Sequence, residues 1–65
     1  MKIEYDPKAD AMYIHLISGT VVDSEEVRPG VVFDFDVDGR VLGIEMLDVS
    51  LHTDNPRELA MELVG

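Results

Sequence analysis

The sequence predicts an α+β fold that is mostly β: an antiparallel β-meander of about five strands followed by one C-terminal helix. Three observations predict it. Apolar and polar residues alternate through most of the first 47 positions, the period-two pattern of half-buried strands. Turn-forming Pro, Gly and Asp residues interrupt that alternation at intervals. After Asp48 the alternation stops, and a helix-capping pattern follows at Asn55-Pro56.

The first strand rests on Ile3 and Tyr5 alternating with Lys2, Glu4 and Asp6. Asp6-Pro7-Lys8-Ala9-Asp10 reads as a turn, with Pro7 presetting its backbone angle. Met12, Ile14 and Leu16 alternate with Tyr13 and His15 in the second strand. A four-residue loop sets Tyr5 opposite Met12 and Ile3 opposite Ile14, all four on one face. The Ser18-Gly19 turn leads into a weak third strand over Thr20–Val27, pairing Leu16 with Val21 or Val22 according to loop length. Its Ser24-Glu25-Glu26 end is too polar for a core position, so it belongs at an edge.

Val31–Val37 and Arg40–Leu47 are the fourth and fifth strands, joined by a two-residue Asp38-Gly39 turn. That register pairs Phe35 with Leu42, Phe33 with Ile44 and Val31 with Met46, each pair apolar on both sides. Beyond it, Asn55 caps a helix over about 55–64, with Pro56 at its first position and Glu58 completing a capping box. Leu59, Ala60, Leu63 and Val64 share one face of that helix.

The 65 residues make a single small domain, 1–65, near the lower size limit for an unaided core. No cysteine is present, so disulfides, thiolate nucleophiles and Cys-ligated zinc are excluded. A formal net charge of −9 argues against nucleic acid and anionic membranes as partners. It suits a basic protein partner. The acidic, proline-bearing N-terminus is no signal peptide and no segment is long enough to span a membrane, so the expected location is cytoplasmic.

Asp34-Phe35-Asp36-Val37-Asp38-Gly39, with Glu45 further on, also spells the calcium-loop pattern D-x-D-x-D-G-x5-E. An EF-hand needs a helix entering the loop, and Pro29-Gly30-Val31-Val32 forbids one. In the hairpin register Asp36 faces Val41 and Glu45 faces Val32, about 13 Å apart along the strand, too far to share one ion. Asp34 and Glu45 are diagonal neighbours, so a weak divalent-cation binder using Asp34, Asp36 and Glu45 is the alternative function. His15 beside Asp23 would suit a general base, but no nucleophile turn accompanies the pair. The expectation is therefore no catalytic, cofactor-binding or metal residue, and no enzyme.

Met1 to Ile14, Ser24-Glu25-Glu26-Val27, Asp34 to Gly39 and Gly43 to Asp48 together resemble domain-of-unknown-function family 2283. This is a group of short prokaryotic proteins, and the resemblance covers about residues 1–50. It implies a compact β-rich fold with an acidic hairpin, and supplies no activity and no site residues. The functional expectation is a small acidic, non-enzymatic protein-interaction module that self-associates. One version is a neutraliser of a basic toxin-like protein. Valines at 22, 32 and 41 are expected to join Tyr13 on the polar face. Sheet-on-sheet packing or helix exchange in a homodimer would then complete the core.

Overall fold

The computed structural model describes residues 1–54. They form one antiparallel sheet of β1 (Lys2–Asp6), β2 (Ala11–His15), β3 (Asp23–Arg28), β4 (Val31–Phe35) and β5 (Val41–Met46). A 3-10 turn follows at Val49–Leu51. The spatial order is β1-β2-β5-β4-β3. The five antiparallel strands are thus as expected, with β3-β4-β5 a continuous meander and the β1-β2 hairpin laid against β5.

Two corrections concern the ends of that description. First, the expected C-terminal helix: among the described residues that end of the chain carries only the three-residue 3-10 turn. The stretch 55–64 lies outside the described residues. Second, β2 pairs with β5 and not with β3, so neither Val21 nor Val22 faces Leu16. The N–H groups of Leu16 and Ile17 both donate to the Leu42 carbonyl, at 2.8 and 3.0 Å. The chain end of β2 is thereby tied to β5, and residues 16–22 become a connector that delivers β3 to the far edge.

The β1-β2 register is the expected one, with Ile3 opposite Ile14 and Tyr5 opposite Met12. Phe33–Ile44 and Val31–Met46 also pair as expected. Phe35, however, faces Val41 instead of Leu42. A two-residue type I′ turn needs positive φ at both Asp38 and Gly39, but only Gly39 has it, at +80°. The loop instead holds three residues, closed by Asp36 N–H donating to the Arg40 carbonyl and Gly39 N–H to the Asp36 carbonyl, each 3.0 Å. A bulge at Leu42 then restores the register further out.

The strand pairings align two apolar rows on one face, Ile3–Ile14–Ile44–Phe33 and Tyr5–Met12–Met46–Val31. Val49, fully buried, drops onto Met12 and Ile14 to complete the core. It is held there through Asp10. The Asp10 carbonyl accepts Val49 N–H at 3.0 Å, and its carboxylate accepts Ser50 N–H at 3.1 Å and Ser50 Oγ–H at 2.6 Å. Burying side chains such as Val49 and Met12 contributes about 1.5–3 kcal/mol each.

Candidate functional site

The opposite face carries two polar rows. One runs Glu4–Tyr13–Glu45–Val32–Glu26 and the other Lys2–His15–Gly43–Asp34–Ser24, each crossing all five strands. Side chains bridge them. Tyr13 Oη donates to Asp34 Oδ2 at 2.7 Å, and Ser24 Oγ donates to Asp34 Oδ1 at 2.6 Å. Tyr13 reaches Asp34 by lying over Gly43. A Cβ there would overlap the phenol oxygen and sit 2.7 Å from both Cε1 and Cζ. Only glycine admits the ring at this point.

The bond to Asp34, together with burial and the charges of Asp34 and Glu45, pushes the Tyr13 phenol up to about 12. On the other side of Tyr13, His15 packs its ring at 4.4 Å and places Nε2 3.0 Å from Glu4 Oε1. Lys2 Nζ lies 3.2 Å from the same oxygen. Hydrogen bonds from Lys2 and then His15 hold the Glu4 carboxyl below its ordinary range. A connected series thus runs from β1 to β3 through Glu4, His15, Tyr13, Asp34 and Ser24, hydrogen-bonded at every step but the ring contact of His15 with Tyr13.

The residues expected to matter fall out differently. His15 takes Glu4 as its partner, while Asp23 sits on β3 opposite Phe35. Asp34 and Glu45 are diagonal as expected, but both Asp34 oxygens accept hydrogen bonds from Tyr13 and Ser24. Asp36 is buried in the turn, where its Oδ1 accepts the N–H groups of Asp38 and Arg40, both at 2.9 Å. Arg40 Nε donates to its Oδ2 at 2.8 Å. Led by the Arg40 backbone bond, these contacts lower the Asp36 pKa. Among the described residues no group of three or more His, Cys, Asp or Glu side chains is arranged to hold a metal ion. Val32 does lie in a polar row, as the sequence suggested.

One end of the sheet carries most of the exposed large aliphatic side chains among the described residues. Met1, Leu16, Ile17, Val21, Val22 and Val37 flank the β1 start, the β2 and β4 ends and the β3 start, which the antiparallel registers place at one end. All six are exposed, from 42% for Leu16 to 82% for Val37. The connector that carries four of them is pinned, because Val22 N–H also donates to the Phe35 carbonyl at 2.9 Å. It passes Gly19 close over the buried Leu42 side chain. An open cleft of about 350 Å³ beside this end is lined by Met1, Lys2, His15, Leu16, Ile17 and Ser18. This apolar cluster was missed in the sequence because residues 20–22 read as strand.

A protein-family model described as "Protein of unknown function (DUF2283)" matches residues 2–50. No curated protein and no solved structure matches the chain.

Proposed function

Since this chain belongs to the DUF2283 family, whose description assigns no activity, we propose from its geometry that it is a non-enzymatic protein-interaction module that also self-associates. The observation that carries the reading is the pinned, exposed aliphatic end. Exposed aliphatic side chains usually scatter over a surface, and a contiguous set of them marks an interaction site. Here six of the nine exposed large hydrophobics among the described residues fall at this end, while Val27, Leu47 and Leu51 lie elsewhere, and only four hydrophobic residues are buried among those described. Three backbone hydrogen bonds keep the connector in shape, so little ordering entropy is lost on docking.

The net charge of −9 selects for a basic partner around that apolar centre, and such charge acts on association rate and specificity. The bonded polar face supports the same reading, since Asp34 and Glu4 are engaged in holding side chains across strands.

Affinity capture with the wild-type chain and with an Ile17→Ser/Val22→Ser variant tests this. Both positions are exposed, so the fold survives the change. The expected result is one stoichiometric basic protein retained by wild type, released by high salt and lost by the variant. Equal retention by the two chains would refute the assignment of the site.

A further inference from the structure

The two edges of the sheet are finished differently. Among the described residues β1 and β3 are the outer strands. At β3 the apolar rows stop in charge, because Phe33 is followed by Glu25 and Val31 by Arg28. A register shift between Glu26 and Arg28 also breaks that strand. Charges on the inward face and a bulge are the two standard protections of an exposed edge. At β1 the same rows stop in Ile3 and Tyr5, which are only partly buried, and β1 pairs without any irregularity. Among the described residues nothing continues the apolar face beyond β1.

We infer that β1 is the seam of a two-fold dimer, in which the β1 strands of two copies pair antiparallel about Glu4 into one continuous ten-stranded sheet. The inference deepens the self-associating part of the proposed function. Lys2-Ile3-Glu4-Tyr5-Asp6 is self-complementary in this register. Lys2 of each copy faces Asp6 of the other, and Ile3 faces Tyr5. Opposite charges and apolar pairs directly across strands both stabilise. The apolar rows then run on without a break, Ile3 of one copy meeting the Tyr5–Met12–Met46–Val31 row of the other.

The one like-charged contact is Glu4 with Glu4, and each carboxylate is already bonded to Lys2 and His15 of its own chain. The same operation on β3 sets Glu25 against Glu26 twice and meets the break in register. A head-to-tail β1-to-β3 contact would leave open edges and propagate, whereas the two-fold closes. The antiparallel seam also sends the two aliphatic ends to opposite ends of the dimer, making it bivalent.

Sedimentation equilibrium and amide hydrogen exchange across a concentration series test the seam, with two charge-matched variants. Lys2→Glu and Arg28→Glu make the same change in net charge, one on each edge, at exposed positions. Wild type is expected at twice its 7.2 kDa chain mass at high micromolar concentration, with amides of residues 2–6 gaining protection as it associates. Lys2→Glu sets two acids against each other at both ends of the seam and weakens association by about tenfold or more. Arg28→Glu leaves it within about twofold, the change expected from net charge alone. A wild-type monomer would overturn both the seam and self-association. A dimer that Lys2→Glu and Arg28→Glu weaken equally, or one without added protection at residues 2–6, would overturn the seam alone.

Discussion

Replacing Gly43 by alanine probes the polar face through a single methyl group. The added Cβ overlaps the outer half of the Tyr13 ring, which can leave only by swinging off the sheet. Swinging forfeits the 2.7 Å bond to Asp34 and the 4.4 Å contact with His15. A hydrogen bond to a charged acceptor at a half-exposed site contributes about 1.5 kcal/mol. Alanine in a strand recovers about 0.5–1 kcal/mol of the glycine entropy cost. The net loss is therefore about 1 kcal/mol, from a total that for a domain this small is roughly 3–5 kcal/mol. Urea unfolding followed by circular dichroism reads this directly, and a Tyr13→Phe background supplies the cycle. With no Asp34 bond to lose, Gly43→Ala costs less there, since the phenylalanine ring still meets the added Cβ but swings off without breaking that bond, giving a coupling of about 1–1.5 kcal/mol. A second readout is spectroscopic. In a Tyr5→Phe background Tyr13 is the only phenol, and Gly43→Ala should bring its titration down from about 12 toward the ordinary 10.0. Equal costs in both backgrounds, or an unmoved titration, would refute the account of why glycine occupies position 43.

Three further outcomes follow from the same geometry. Tyr13 has a folded pKa raised above its ordinary 10.0, so its contribution is complete below pH 10 and is lost as pH rises through about 12. Urea midpoints measured between pH 9 and about 12 should fall, and Tyr13→Phe should flatten that part of the fall. Val49→Ala empties a fully buried position and should cost about 2 kcal/mol in the same assay. Asp10→Ala removes the carboxylate that holds Ser50 and sets alanine at φ +52°, so it should cost about 2 kcal/mol, with faster amide exchange at Val49 and Ser50.

What the sequence made legible was local. Ile3 with Ile14 and Phe33 with Ile44 could be paired because period-two alternation and a nearby turn jointly determine a hairpin. Alternation names a residue's face and not its neighbouring strand, so the β2-β5 contact was invisible and with it the reach of Tyr13 to Asp34. Glu4 as the partner of His15 is legible in the sequence, since the β1-β2 register makes the two diagonal neighbours. Asp23 is the apparent partner only if β3 lies beside β2, and it does not. The Leu42 bulge depends on Asp36 gathering Arg40 and the turn amides, a side-chain event that turn statistics do not contain. Asp48, at φ +50°, turns the chain so that Val49 enters the core, and a solitary residue of that kind leaves no periodic trace.

The contact between β2 and β5 joins segments some thirty positions apart, whereas every other strand pair is a neighbour in the chain. On a ribosome β2 therefore has no second partner until β5, the last strand, has emerged. Closing so distant a pairing comes late because its entropy must be spent before any contact repays it. The β2-β5 pairing is accordingly expected to be the last to form, with Met12 and Ile14 covered only at that step, so conservative substitutions in it should speed unfolding more than they slow folding.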